Sequence, residues 1–172
     1  WNRVLTEGGN APDTAGGTWD NPEMQHWPVA CQHCENPACT KVCPVGATWK
    51  DEQTGIVRQD YDKCIGCRMC MAACPYNARN FNWQTPVRVT GANYGDAEVP
   101  VRPKGVAEKC TLCRERTDRG EEPMCVVCCP AHARIFGDLD DPDSEISRVV
   151  RERKAGVLLE EQGTRPQVRY FN

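Results

Sequence analysis

The chain has 172 residues with 21 basic and 24 acidic side chains, a net charge of −3, and 13 cysteines. Leu, Ile, Val and Phe together supply 28 residues, about 16%, too few for an ordinary apolar core, so bonded or ligated thiols must organise the fold. No run approaches the roughly 18 to 20 apolar residues of a membrane span, and interspersed charges form neither a basic stripe for nucleic acid nor an acidic tail.

In chain order, residues 1–30 form an N-terminal arm that opens on Trp1, and Trp1 to Gly17 has neither a signal-peptide pattern nor a helical period. Residues 31–81 carry two cysteine groups. Cys31, Cys34, Cys39 and Cys43 read C-x2-C-x4-C-x3-C-P, and Cys64, Cys67, Cys70 and Cys74 read C-x2-C-x2-C-x3-C-P. Between them, Trp49 to Val57 predicts a hairpin turning at Asp51 to Gly55. Residues 82–109 contain Pro86, Gly91, Gly95, Pro100, Pro103 and Gly105 without apolar period. They predict an irregular insertion, either a partner-touching loop or a solvated one. Residues 110–137 hold the third group, Cys110, Cys113, Cys125 and Cys129, spaced C-x2-C-x11-C-x3-C-P. Residues 138–172 predict a helix and tail, with Asp141 as N-cap, Pro142 in the first turn and Gly156 at the C′ position.

The second spacing is that of bacterial iron-sulfur ferredoxins. Three thiolates on a tight loop can hold three corners of a cubane, and the fourth iron takes a thiolate from elsewhere. The x3 spacing sets the last two cysteines one helical turn apart, and Pro44, Pro75 or Pro130 ends that turn. A disulfide framework is disfavoured by the odd thiol count, zinc by three cysteines within seven residues, and a thioredoxin-like pair by the lack of a βαβ pattern. The groups repeat C-P-x-x-A at Cys43 to Ala47, Cys74 to Ala78 and Cys129 to Ala133. Aromatics follow at Trp49, Phe81 and Phe136, expected to shield the clusters. Lys41, Lys63, Arg68, Lys109 and Arg114 lie beside cysteines and either raise cluster potentials or are solvated. Cys128 reads as a spare buried thiol, or as a substitute ligand for the third site. His26, His33 and His132 read as hydrogen-bonded surface or loop residues rather than iron ligands. No dinucleotide, phosphate-loop, nucleophile-elbow or zincin motif supports a hydride, phosphoryl or hydrolytic site.

Lys109-Cys110-Thr111-x-Cys113-x-x-Arg116, then Gly120, Pro123, Cys125, Cys129-Pro130 and Ala133, resembles the last cysteine motif of a known family. That family is the four-cluster iron-sulfur subunits of molybdopterin oxidoreductases of polysulfide, thiosulfate, dimethyl sulfoxide and tetrathionate reductase type. Phe136-Gly137-Asp138-Leu139, Asp141-Pro142, Ser144 and the Glu161 to Pro166 tail extend the resemblance, which covers residue 20 to the end.

The resemblance implies an α+β fold of tandem ferredoxin-like units, with short helices and hairpins around [4Fe-4S] clusters. It implies one cluster on Cys31, Cys34, Cys39 and Cys74, and a second on Cys43, Cys64, Cys67 and Cys70. Cys110, Cys113 and Cys125 would serve a third, and Cys129 a fourth. The family normally has a further C-x2-C-x2-C group upstream. Its absence before Cys31 leads us to expect a missing segment, two clusters complete from this chain and three to four in the intact subunit. The implied partners are a molybdenum or tungsten bis-pterin catalytic subunit and a membrane anchor reactive with quinone, on the periplasmic face of a prokaryotic membrane. The alternatives are the iron-sulfur subunit of a quinol-oxidising complex, formate dehydrogenase or hydrogenase, and a free soluble polyferredoxin.

Overall fold

Little apolar area is available to build a broad sheet, and the chain folds instead into two-stranded ribbons and single-turn helices around its cysteine loops. The computed structural model describes residues 1–8, 14–87, 89, 91–92, 96, 98–99 and 101–171. Much of the expected arm is strand: β1 (Arg3–Glu7) pairs antiparallel with β4 (Gln25–Val29), and β2 (Gly16–Thr18) with β3 (Asn21–Glu23). Val4 and Leu5 are both exposed, so β1 buries neither face and leaves no alternating pattern to read. Its ladder is reinforced by Trp27, whose Nε1–H donates to Glu7 Oε2 at 3.1 Å and whose ring meets Tyr170 edge-on at 5.5 Å.

The predicted hairpin forms, with β5 (Thr48–Lys50) against β6 (Val57–Gln59) and Trp49 opposite Arg58. Asp51 N–H donates to Ile56 O and Gly55 N–H to Asp51 O, both at 2.9 Å, with Gly55 at φ 68°. Alternation along β5 sends Thr48 inward and Trp49 outward, leaving that ring 39% exposed. Trp49 thus lies on the outward face of the hairpin, opposite buried Thr48. Phe81 meets Trp83 edge-on at 4.6 Å, with the Arg68 guanidinium over both rings, while Phe136 is half-buried.

The ends of the 82–109 excursion are drawn together by β7 (Asn80–Phe81) pairing with β8 (Ala107–Glu108). Asn82 N–H donates to Val106 O, and Gly105 N–H to Asn82 O. A Cβ on Gly66, which sits at φ 69°, would lie 2.2 Å from Gly105 O, so only glycine lets the second cysteine loop touch the base of this excursion. Arg119 ties the excursion to the third cysteine group through Asp96 and Glu98. Gly95 and Pro100, named above for this stretch, lie outside the described residues.

Four single-turn helices carry or follow the cysteines: α1 (Ala38–Lys41), α2 (Met69–Ala72), α3 (Arg114–Thr117) and α4 (Met124–Val127). The C-terminal helix, α5 (Glu145–Glu152), starts later than expected, on Ser144, whose hydroxyl accepts Ser147 N–H at 3.2 Å. Asp141 is occupied otherwise. Its carboxylate accepts Asp143 N–H and its carbonyl the Ser144 N–H, a turn that leaves Ser144 as the cap. Gly156 is not the residue closing the helix; it exchanges two backbone hydrogen bonds with Tyr170.

The tail then returns to the first cysteine loop. Glu35 N–H donates to Arg165 O, Asn36 N–H to Thr164 O and Gln167 N–H to Gln32 O. Beneath this strap lies the small core of Val29, Tyr76 and Ala78, against which Cys31, Cys34, Cys74, Trp27 and Leu158 pack.

Candidate iron-sulfur centres

The first C-x2-C of each group places a left-handed residue just before its second cysteine: His33 at φ 42°, Gly66 at 69° and Leu112 at 57°. The third cysteine then rides on a single-turn helix, Cys39 on α1, Cys70 on α2 and Cys125 on α4, and the fourth follows that turn and precedes proline. The C-P-x-x-A repeat has a physical meaning. Its fourth residue is left-handed in every copy, Gly46 at φ 62°, Asn77 at 49° and His132 at 47°. That bend turns Ala47 N–H onto Cys43 Sγ at 3.2 Å and Ala133 N–H onto Cys129 Sγ at 3.3 Å. Backbone groups of Ala78 and Tyr76 do the same for Cys74. Leu112 N–H reaches Cys110 Sγ and Met124 N–H reaches Cys113 Sγ, both at 3.4 Å. Amides aimed at sulfur favour the thiolate, the form that binds metal.

The thirteen cysteines are all free of disulfides. A hollow is lined by Cys43, Cys64, Cys67 and Cys70, with Ala47 and Ala107 in its wall. Cys34 is close enough to Cys31, Cys39 and Cys74 to feel all three charges. Cys110 likewise feels Cys31 and Cys125. Among the described residues no three His, Cys, Asp or Glu side chains converge on a point that one metal ion could fill. Cysteines spaced around a hollow, each with a separate iron to meet, instead suit a polynuclear cluster. Cys125 and Cys128 are exposed. Cys128 is therefore not a buried spare thiol: it caps α4 from outside, while Cys129 beside it takes the amide of Ala133.

Buried cations stand among these sulfurs. Arg79, 2% exposed, donates to Gln59 Oε1 and Thr48 Oγ1 at 2.8 Å and to Cys39 Sγ at 3.1 Å. It also acts on Cys70, so one guanidinium faces cysteines of both the first and second groups. Lys109 is fully buried and donates to the carbonyls of Val57 and Cys110. Arg114 and Lys63 are mostly exposed, and Lys41 and Arg68 are exposed as well, so of the five flagged bases only Lys109 is internal. Arg79 escaped the sequence reading. Its only signal was a polar residue after the alanine of each repeat, Thr48, Arg79 and Arg134.

These charges set the thiols apart. Burial works against ionisation of Cys31, yet Lys109 and His33 overcome it and hold the thiol at about 5. Burial pushes Cys34 up to about 11, with the neighbouring cysteines adding to it against the Thr164 hydroxyl. Burial likewise raises Cys70, opposed by Arg79, and Cys110, opposed by the Leu112 amide and Lys109. Burial lowers Lys109 itself, with Cys31 acting in the other direction. His33 is not a surface histidine: it is 4% exposed, and burial lowers its pKa. His26 and His132 are exposed.

The model of the 4Fe-4S dicluster domain matches residues 22–90 and 97–139. Among curated relatives, an iron-sulfur protein of dimethyl sulfoxide reductase type from Halobacterium salinarum is 54% identical over all of this chain and 67% of its own length. A sulfite dehydrogenase component from Allochromatium vinosum is 44% identical over 90% of this chain and 59% of its own. The iron-sulfur subunit of an arsenate respiratory reductase from a Shewanella species is 39% identical over 92% and 80%. This chain thus spans only part of each relative. No helix among the described residues is long and apolar enough to cross a membrane. With three ferredoxin-type cysteine loops, amides trained on their sulfurs and these relatives, the chain belongs to the 4Fe-4S dicluster iron-sulfur subunits of the molybdopterin oxidoreductase family.

Proposed function

We propose that this chain is an electron-transfer subunit that conducts single electrons between a molybdenum or tungsten bis-pterin catalytic subunit and a second redox partner, such as a quinone-reactive membrane anchor. The observation that carries the reading is the hollow whose wall contains Cys43, Cys64, Cys67 and Cys70. Cys43 comes from the first group and the other three from the second, the exchange of a fourth ligand that two-cluster ferredoxins use. Cys74 supplies the reciprocal exchange to Cys31, Cys34 and Cys39. Cys110, Cys113, Cys125 and Cys129 serve further clusters completed from outside residues 31–129. When bound, [4Fe-4S] clusters supply one-electron carriers whose potentials follow burial, charge and hydrogen bonds to sulfur.

The chain's own residues supply those three controls. Amides of Ala47, Leu112, Met124 and Ala133 point at cysteine sulfurs and hold them for metal. Arg79, facing Cys39 and Cys70 together, stabilises added negative charge on either side. The Gly66–Gly105 contact sets the base of the excursion against the second loop, in which Cys70 is buried.

The experiment is iron, acid-labile sulfide and zinc per chain in complex purified without oxygen, with the catalytic partner's metal identified. About sixteen irons support four cubanes and about twelve a three-cluster variant. Zinc without iron overturns electron transfer. A nickel-iron partner, or a quinol-oxidising complex with no molybdenum or tungsten, favours the alternative assignments.

A further inference from the structure

His33 lies between two cysteine-loop residues that the proposed clusters use, and its ring already acts on the thiol of one of them, Cys31. The side chain is buried. Its Nδ1 accepts Val57 N–H at 3.2 Å, at the start of β6 in the hairpin that also carries Thr48. A ring whose Nδ1 accepts carries its proton on Nε2. Nε2 is buried with no well-formed hydrogen bond to a neighbour among the described residues, and the ring's polar neighbour is the Cys31 sulfur, although buried donors are almost always satisfied. The ring sits against Cys31, and Lys109 and Arg79 act on it as well. Those two bases have acceptors of their own, the carbonyls of Val57 and Cys110 for Lys109, and Gln59, Thr48 and Cys39 for Arg79. The backbone of His33 is left-handed, so both ends of the residue are fixed, one by the loop and one by the hairpin.

We propose that His33 Nε2–H is a donor held for sulfur of the cluster bound by Cys31, making His33 a positioning residue that raises the potential of that cluster. The proposal rests on the reading that Cys31, Cys34, Cys39 and Cys74 hold a cluster. No proton moves. With a cluster bound and reduced by one electron from the redox partner, its sulfur would be more negative and the fixed N–H of His33 would bond it more strongly, so that the residue would favour the reduced state. The imidazole is anchored through Val57, in the way that ligands of metal sites are oriented by groups one layer out.

The test uses the full chain in its complex, prepared without oxygen as wild type, His33→Leu and His33→Gln. Iron and sulfide are counted first, and a wild type without iron overturns the ligand reading and this proposal with it. With clusters present, redox titration followed by electron paramagnetic resonance should show the first cluster of His33→Leu about tenfold harder to reduce, roughly 59 mV for one electron. His33→Gln, whose amide can accept from Val57 and donate onward, should recover most of that shift. In wild type labelled with 15N-histidine, pulsed resonance should detect a weak nitrogen coupling to the reduced cluster that His33→Gln abolishes. An unshifted potential in an iron-replete His33→Leu overturns the proposal. If His33→Leu fails to assemble, the labelled wild type decides, and the lack of a histidine coupling that depends on His33 overturns it.

Discussion

Replacing Tyr76 by Phe removes one oxygen, and the structure says where the loss is felt. The Tyr76 hydroxyl lies 2.6 Å from Thr164 Oγ1, with Tyr76 8% and Thr164 5% exposed. Water cannot readily replace it. An orphaned buried hydroxyl costs about 1 to 3 kcal/mol, whereas replacing both partners by apolar groups of the same shape is nearly neutral. The Tyr76 hydroxyl also reaches Leu158 O at 3.4 Å and Thr164 also acts on the Cys34 thiol, so Tyr76→Phe and Thr164→Val should each loosen the tail strap, and the double variant should lose less than the two singles combined. Chains that hold cofactors rarely unfold in a single reversible step, so the assay is native-state hydrogen exchange. The amides of Glu35 and Asn36, which donate to Arg165 O and Thr164 O, should exchange roughly 5- to 150-fold faster in either single variant. The Asp51 amide, bonded within the β5–β6 hairpin, serves as the internal control and should not change. Unaltered exchange at Glu35 and Asn36, or a double variant as loose as the two singles combined, would refute this account of the strap.

Gly66→Ala should prevent normal assembly of the second cysteine loop, because its Cβ meets the Gly105 carbonyl at 2.2 Å in a left-handed conformation; iron per chain should fall by about one cubane, and an unchanged count would contradict the close contact. Arg79→Met removes the cation between Cys39 and Cys70 and should make the clusters on both sides about tenfold harder to reduce, roughly 59 mV each; a shift at one cluster alone would show that Arg79 is not shared. The Arg58 side chain holds Asp51 by its hydrogen bond, and holds Asp118 against the opposing effect of burial, so that both carboxyls titrate below their usual range. A carboxyl depressed in the fold contributes fully above its unfolded value of about 3.9 and loses that contribution as pH falls through the folded value. The β5–β6 hairpin should accordingly loosen only below about pH 4, and Arg58→Met should flatten that acid dependence when exchange of the Asp51 amide is followed against pH.

The cysteine loops were legible because their geometry is local. A left-handed residue, a single helical turn and a proline lie within a few positions of one another, and their spacing survives in the letters. The hairpin at 48–59 was legible for the same reason, through a turn closed on Asp51 and Gly55. The pairing of β1 with β4 was not, since Val4 and Leu5 face solvent and the strand owes its place to a partner about twenty residues on. Sequence placed the helix cap at Asp141, but that side chain closes its own turn and leaves Ser144 to cap α5. The interior charges were the hardest to foresee. Lys109 resembles Lys63 in sequence, each preceding a C-x2-C, yet Lys109 is buried and Lys63 exposed, because Lys109 follows β8 into the space beneath Val57 and Lys63 follows an open turn after Asp60.

The tail that closes over the first loop also sets a schedule. Asn36 Nδ2–H donates to Gly163 O across 127 residues of chain, so the strap over Cys34 can form only after Gly163 has left the ribosome. At synthesis rates of about 5 to 20 residues per second, that interval is roughly 6 to 25 s. Through it the thiols of the first loop lie open to solvent and oxidant, and also to whatever scaffold delivers iron and sulfide. Loading before the strap closes needs no later opening of the fold.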